Sequence, residues 1–204
     1  MGDEVSEFFI KEELVSKNRY VEHVIRTAIS FKRKDRRLKP VKIKRTVIKL
    51  PPGGQVLPYF KDTFGKWKVV LVSQYRISLE VKTIEGAGGR IDKGETEEKA
   101  LARELNEETG IKVEPKAITI VFNEYILTSL LNASAFGGIV RIKDSMVKNK
   151  NKRDSGNGEL TQVEIFDLKD LLRKREARAI KIDFMTSRLL DEVAKVTKLL
   201  VKKY

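Results

Sequence analysis

A cluster of glutamates between residues 89 and 111 constrains this 204-residue chain more than any other feature of its sequence. The segment reads GRIDKGETEEKALARELNEETGI and contains six glutamates. Three of them, Glu104, Glu107 and Glu108, have the spacing i, i+3, i+4, which places them on one face of a helix. Like charges at this spacing repel one another and destabilise a helix by about 0.2–0.5 kcal/mol per pair. The spacing therefore predicts a site that receives a cation on this face.

The same segment predicts the clearest helix of the chain, over Glu97–Thr109, followed by Gly110 at the position where a helix commonly ends. Carboxylate oxygens are hard ligands, so the expected ion is Mg²⁺, with Mn²⁺ as the alternative. Arg103 lies four residues before Glu107 and can orient a carboxylate from there.

Glycines precede the glutamates, at Gly86, Gly88, Gly89 and Gly94. Without a Cβ, these residues let the backbone pass close to a metal ion or a phosphate. A charged helix in solvent would also explain the glutamates, but it would not explain the arginine and the glycines.

The rest of the chain alternates between strand and helix patterns and predicts an α+β fold. Strands are expected over 41–50, 56–60, 68–74, 79–84, 117–125, 135–142 and 163–167, with further helices over 168–175 and 184–203. Apolar residues near helical spacing predict an amino-terminal helix over 4–31. We expect residues 1–40 to form a helical extension with a basic connector, and residues 41–204 to form the main domain.

Composition limits the class of protein. The chain contains no run of about 18 apolar residues, so no membrane-spanning helix is predicted. It also contains no cysteine, which excludes thiolate metal ligands. A cytoplasmic location is expected. The net charge of +13 has two explanations, solubility or a polyanionic partner. Because the basic stretches do not alternate with aromatic residues, a nucleic-acid partner is not favoured.

The glutamate segment resembles the Nudix box, G-x5-E-x7-R-E-U-x-E-E-x-G-U with U aliphatic, at every specified position. The matching residues are Gly89, Glu95, Arg103, Glu104, Leu105, Glu107, Glu108, Gly110 and Ile111. The resemblance implies an α/β/α sandwich around a mixed β-sheet, preceded here by the amino-terminal extension. It also implies a metal ion held by Glu104, Glu107 and Glu108, and hydrolysis of nucleoside diphosphates that are linked to another moiety.

Outside the box the chain looks most like the ADP-ribose and nucleotide-sugar pyrophosphatases. The stretch VVLVSQYR, which ends at Arg76, and the residues from Glu85 to Gly89 carry this resemblance, with alanine and glycine where the branch has proline and alanine. It implies that Arg76 and Glu85 bind substrate and that the Gly88 carbonyl is a metal ligand. The alternative roles are a surface arginine at a strand end and a turn carboxylate.

The residues after the expected loop at 148–158 resemble the stretch in which the same branch has a late glutamate. Glu159 is therefore the candidate general base or additional metal ligand, and a solvated loop residue is the alternative. The candidate catalytic set is Glu104, Glu107, Glu108, Arg103 and Glu159. The resemblance also implies a homodimer.

The leading hypothesis is Mg²⁺-dependent hydrolysis of ADP-ribose or a related nucleoside diphosphate sugar to a nucleoside monophosphate and a sugar phosphate. One rival is hydrolysis of dinucleoside polyphosphates or RNA 5′ ends, and the positive charge mildly favours the RNA version. The other is a nucleotide-sensing module that does not cleave, and this rival predicts loss of the metal glutamates, all three of which are present.

Overall fold

The structure is a computed structural model that describes residues 6–18, 21–32, 41–126, 130–147, 153–154 and 160–199. The strands are β1 (Ser6–Lys17), β2 (Glu22–Lys32), β3 (Val41–Lys49), β4 (Gly53–Lys61), β5 (Trp67–Arg76), β6 (Val81–Glu85), β7 (Ala87–Arg90), β8 (Thr119–Tyr125), β9 (Leu131–Asn132), β10 (Ser134–Arg141), β11 (Arg153–Asp154) and β12 (Leu160–Asp167). The helices are α1 (Glu97–Thr109), α2 (Leu168–Glu176) and α3 (Phe184–Val196).

The chain divides into two compact units. The first consists of Met1–Pro51 and Tyr125–Ser134, and the second consists of Pro52–Glu124 and Ala135–Tyr204. The division between them falls after Pro51, so β3 belongs with the amino-terminal strands and not with the segment that starts at residue 52.

The first unit contains a four-stranded sheet in the order β1-β2-β3-β9. The expected helix over 4–31 is wrong, because β1 and β2 form an antiparallel hairpin in the described part of this segment. Glu12 lies directly opposite Arg26 and accepts a hydrogen bond from its Nε at 2.8 Å. Cross-strand pairs of this kind stabilise the sheet. The spacing of apolar residues along one segment gives no information about them.

The second unit contains a mixed sheet in the order β11-β12-β5-β4-β10-β8, with β6 beside β5 and β7 beside β4. Strands β4 and β10 are parallel, whereas β5 is antiparallel to β4, β6 and β12. The α+β class is therefore confirmed.

Alternate residues of the central strands face opposite sides of this sheet. Val56 and Val70 belong to one hydrophobic cluster with Leu101 and Leu105 of α1. The neighbouring residues in the strands belong to a second cluster with α2 and α3: Leu57, Val69, Leu71, Leu168, Leu171, Leu189 and Leu190. Each such fully buried side chain contributes about 1.5–3 kcal/mol of burial free energy. The second unit is therefore a sandwich of helix, sheet and helix, as expected.

Helix α1 has the predicted bounds. Thr96 caps its amino end by accepting a hydrogen bond from the Lys99 N–H, and Gly110 ends it with a φ of 70°. Left-handed backbone of this kind favours glycine. The local signals at both ends were sufficient to locate this helix.

The glycine segment before α1 forms a strand, β7, that the sequence analysis did not predict. Gly88 pairs with Gln55 and Gly89 with Gly54 of β4. Glycine weakens the local signal for a strand, but the strands approach so closely that a Cβ on Gly88 would lie 2.2 Å from the Gly54 carbonyl oxygen. Within the described residues, no helix has the length and hydropathy needed to cross a membrane.

Candidate active site

Arg103 is the centre of the carboxylate cluster on α1. Its Nε and Nη2 donate hydrogen bonds of 3.0 Å to the two carboxylate oxygens of Glu95, and Nη2 also donates to the Arg90 carbonyl at 2.9 Å. A guanidinium that binds a carboxylate through two nitrogens is fixed in orientation. Arg103 therefore ties the turn before α1 to the helix.

The same guanidinium contacts two of the expected metal ligands. Its Nη1 donates to Glu104 Oε1 at 2.7 Å and to Glu107 Oε2 at 3.4 Å. The sequence predicts that Arg103 orients one carboxylate, and in the structure it donates hydrogen bonds to both of these.

Glu104 lies against the backbone of β7. A Cβ on Gly89 would be 2.3 Å from Glu104 Oε1, so only glycine leaves room for this carboxylate. Burial raises the pKa of Glu104 above its ordinary value, although the Arg103 guanidinium acts in the opposite direction. The carboxylate is therefore held in a partly desolvated position next to bare backbone.

Glu108 is the most desolvated of the three glutamates. Burial raises its pKa to about 8, and the nearby carboxylates of Glu104 and Glu85 act in the same direction. Its Oε2 accepts a hydrogen bond of 3.1 Å from the Gly88 N–H, which opposes the shift. The ionised form of this carboxylate is therefore disfavoured unless a cation lies nearby.

A divalent metal ion fits the donors at this end of α1. Glu104 and Glu108 offer buried carboxylate oxygens beside the glycine backbone, Glu107 is more exposed, and oxygen donors suit a hard ion. The described residues contain no cluster of three or more acidic, histidine or cysteine side chains that is already arranged around a metal position. In this arrangement Glu104 and Glu107 are engaged by Arg103 instead.

Arg76 and Glu85 form a second charged pair, at the end of the β5–β6 hairpin. Arg76 donates to both oxygens of Glu85, at 2.8 and 2.5 Å, and Glu85 also accepts from Thr83 Oγ1 at 2.5 Å. Burial raises the pKa of Glu85, but the bonds from Arg76 and Thr83 outweigh it and hold the pKa below its ordinary value. Glu85 is only 3% exposed, whereas the Arg76 side chain is 38% exposed.

Residues near the start of α3 support the glycine segment, and the sequence analysis did not identify them. The Thr186 hydroxyl accepts a hydrogen bond of 2.7 Å from the Gly86 N–H. Asp183 accepts from the Thr186 N–H at 3.0 Å and from Gln55 Nε2 at 3.1 Å. A signal was present, since an aspartate immediately before a helix is a common cap, but nothing local connects it to Gly86.

A cavity of about 730 Å³ opens beside Arg76 and Glu85, within the second unit. The β5–β6 hairpin and residues 175–187 form its walls, and the Gln55 side chain reaches it from β4. Its volume is within the range of about 300–1,000 Å³ that is typical of small-molecule sites. Glu159, the candidate general base, and most of the loop expected over 148–158 lie outside the described residues.

Comparison with known proteins agrees with this geometry. A model of the NUDIX domain matches residues 56–186. The chain is 27% identical over 175 residues to the ADP-sugar pyrophosphatase of Mus musculus, an alignment that covers 81% of this chain and 76% of that protein. It is 28% identical over 137 residues to the ADP-ribose pyrophosphatase of Bacillus subtilis (strain 168), covering 67% and 69%. It is 27% identical over 138 residues to the methanol dehydrogenase activator of Bacillus methanolicus, covering 68% and 67%.

Enzymes of this family act on nucleoside diphosphate-linked substrates and generally use divalent metal ions. The domain match spans more than half of the chain, including the helix that carries Glu104, Glu107 and Glu108. The chain therefore belongs to the Nudix family and is a Nudix pyrophosphohydrolase.

Proposed function

We propose that this enzyme hydrolyses the diphosphate of ADP-ribose or a related nucleoside diphosphate sugar to a nucleoside monophosphate and a sugar phosphate. The observation that carries the proposal is the Arg76–Glu85 pair, which lies at the wall of a cavity of about 730 Å³. A phosphate-binding cation next to a buried hydrogen-bond acceptor suits a sugar linked to a diphosphate. The names of the mouse and Bacillus subtilis relatives support the same substrate class.

We propose that the metal ion is Mg²⁺ and that its ligands are Glu104, Glu107, Glu108 and the Gly88 carbonyl. When bound, such an ion neutralises charge on phosphate oxygens and lowers the pKa of a coordinated water. Arg103 positions Glu104 and Glu107 through the bonds from its Nη1, and the Gly88 N–H positions Glu108. Glu159 remains the candidate general base from the sequence.

Arg76 and Glu85 have complementary roles in this proposal. The half-exposed guanidinium of Arg76 binds a phosphate oxygen of the diphosphate, while its bonds to Glu85 hold it in place. Glu85 stays ionised because its pKa is lowered, and it contributes to substrate binding by fixing the Arg76 guanidinium through both carboxylate oxygens. Both roles need the β5–β6 hairpin to remain intact.

A substrate panel tests the proposal. Phosphate release in a phosphatase-coupled assay with Mg²⁺ is measured for ADP-ribose, other nucleotide sugars, dinucleoside polyphosphates and RNA with a 5′-triphosphate. We expect strong turnover of a nucleotide sugar. Added salt should steeply reduce any activity on RNA but have less effect on activity on a small substrate. Cleavage of RNA or dinucleotides with no turnover of the sugars would overturn the substrate assignment.

Glu108→Gln tests the metal assignment, with Glu98→Gln on the same helix as the matched control. Glu98 lies in the first turn of α1 and contacts none of the proposed ligands in the described residues. We expect a loss of at least about a hundredfold in kcat for Glu108→Gln and little change for Glu98→Gln. Near wild-type turnover of Glu108→Gln at saturating Mg²⁺ would contradict the assignment.

We also propose that the enzyme is a cytoplasmic homodimer that pairs through the sheet of the first unit. β1 is at the edge of that sheet, and Ile10 and Leu14 on it are 59% and 58% exposed. An exposed apolar edge strand is suited to association with another chain. Sedimentation equilibrium at micromolar concentration tests this, and a monomer would end the dimer proposal.

A further inference from the structure

The cavity beside Arg76 contains positive charge that its surroundings do not neutralise. Four cationic side chains line it: Arg76, Arg175, Arg178 and Lys181. Two of these have partners, since Arg76 is paired with Glu85 and Arg175 Nη2 donates to Asp191 Oδ1 at 2.7 Å. The other two, Arg178 and Lys181, form no ion pair with any residue in the described ranges.

The other carboxylate of the cavity wall does not compensate for these charges. Asp183 accepts hydrogen bonds from the Thr186 N–H at 3.0 Å, from the Thr186 hydroxyl at 2.7 Å and from Gln55 Nε2 at 3.1 Å. It is committed to the start of α3 and to β4. Arg178 and Lys181 therefore remain available to an anion.

Residues of the cavity wall neighbour the residues that contact the carboxylates of α1. Gln55, which lines the cavity, pairs with Gly88 across the β4–β7 ladder, and the Gly88 N–H donates to Glu108. Glu85 lines the cavity and also influences the pKa of Glu108 electrostatically. Because Arg76 lines the cavity, a ligand whose diphosphate is bound by Arg76 can extend into it.

We propose that Arg178 and Lys181 bind a phosphate monoester carried by the substrate in addition to its diphosphate. The proposal rests on the function proposed above, since it places the diphosphate at Arg76 and the glutamates. Arg76, together with a metal ion on the glutamates, would bind the diphosphate, so Arg178 and Lys181 are left for a further anionic group. The substrate class is thus a nucleoside diphosphate sugar phosphorylated on its nucleoside half or on its sugar half.

The shape and chemistry of the cavity suit such a group. Guanidinium and ammonium groups are the side chains that bind phosphate most strongly. Apolar side chains complete the walls, namely Leu79, Val81, Ile180, Ile182 and Met185. Apolar walls pack against a base or a sugar ring while a few charged groups fix its orientation.

Two substitutions remove the cations without disturbing the backbone. Arg178 has a φ of 53°, so Arg178→Gly places glycine in the conformation that glycine favours. Lys181→Gln retains the carbonyl that accepts the Ile84 N–H at 2.9 Å. The matched controls are Lys198→Gly, where φ is 57°, and Lys174→Gln, because neither residue lines the cavity.

Binding is measured by calorimetry on the metal-free full chain, so that no turnover is needed. One pair of probes is adenosine 5′-monophosphate and adenosine 2′,5′-bisphosphate, and the other is ribose 5-phosphate and ribose 1,5-bisphosphate. We expect one bisphosphate to bind about tenfold tighter than its monophosphate for each cation engaged. The preferred pair identifies the half of the substrate that carries the monoester.

The preference should fall by about tenfold in Arg178→Gly and in Lys181→Gln and remain in both controls. Equal binding of monophosphate and bisphosphate in both pairs overturns the inference, as does an equal loss in the controls. The proposed function fails independently of this inference. If the enzyme cleaves no nucleotide sugar with Mg²⁺ but still binds a bisphosphate more tightly than its monophosphate, only the proposed function is refuted. An enzyme that cleaves ADP-ribose without the preference refutes only the inference.

Discussion

Gly89→Ala separates the geometry of the site from the stability of the fold. A Cβ on Gly89 would lie 2.3 Å from Glu104 Oε1 and 2.5 Å from its carboxylate carbon, whereas ordinary contacts begin near 3.4 Å. The obstructed atoms are the end of a flexible side chain, so the carboxylate must move by about 1 Å while the backbone stays in place. A displacement of about 1 Å at a catalytic group reduces the rate by about a hundredfold.

The neighbouring substitution, Gly88→Ala, is the matched comparison. Its Cβ would lie 2.2 Å from the Gly54 carbonyl oxygen and 2.8 Å from the Gln55 Cα, and both of these atoms are backbone. A strand pair cannot rotate away as a side chain does, so we expect a loss of about 1–3 kcal/mol in the free energy of unfolding.

The assay measures kcat/KM with Mg²⁺ for each variant and the free energy of unfolding by chemical denaturation. Gly89→Ala should lose about a hundredfold in kcat/KM with nearly unchanged stability, and Gly88→Ala should lose stability. If Gly89→Ala retains kcat/KM within about threefold, the position of Glu104 against β7 is not what the reaction requires.

Three further predictions concern the bonds around the site. Arg103→Ala should lower kcat by about 10–100-fold because Glu104 and Glu107 lose their common donor, and Arg103→Lys should restore only part of it because it cannot bind Glu95 through two nitrogens; steady-state kinetics measure both. Thr186→Val should lower the free energy of unfolding by about 1–3 kcal/mol because the Gly86 N–H loses its acceptor, while Thr186→Ser should retain most of it; equal denaturation curves for Val and Ser would contradict this. Since the pKa of Glu85 is lowered in the folded state, the stability it contributes is present above its unfolded value of 4.5 and is lost as pH falls through the folded pKa. Denaturation of wild type and Glu85→Gln should therefore differ at pH 7, and the difference should shrink as the pH falls below 4.5 through the folded pKa; a constant difference would refute the ionised pair.

Most of helix α1 could be predicted because its determinants are local. The bounds of α1, its cap at Thr96 and its end at Gly110 depend on residues within a few positions of one another. The shared face of Glu104, Glu107 and Glu108 follows from helical spacing, and both Glu104 and Glu107 reach the same nitrogen of Arg103.

The amino-terminal segment shows where local reasoning was insufficient. Val15, Val21, Val24 and Ile25 favour strands through their branched Cβ atoms, yet their spacing also fits a helix. The choice between the two depended on partners in neighbouring strands: Glu12 of β1 forms ion pairs with Arg26 of β2 and with Lys49 of β3. Glu12 and Arg26 are 14 residues apart and Glu12 and Lys49 are 37 apart, so these pairs do not appear in the spacing of neighbouring residues.

By itself the sequence determined the chemistry of the site: three carboxylates on one helical face, an arginine to orient them, glycines before them and hence the Nudix family. Only the tertiary structure decided how that chemistry is enclosed. The Gly86 N–H is held by Thr186, 100 residues away in the sequence, and the cavity joins the β5–β6 hairpin to residues 175–187. The burial that raises the pKa of Glu108 also depends on the folded structure, in which this carboxylate lies against the Gly88 N–H of β7. Helical spacing and ligand type are properties of neighbouring residues, whereas burial and cavities depend on which distant surfaces the folded chain brings together.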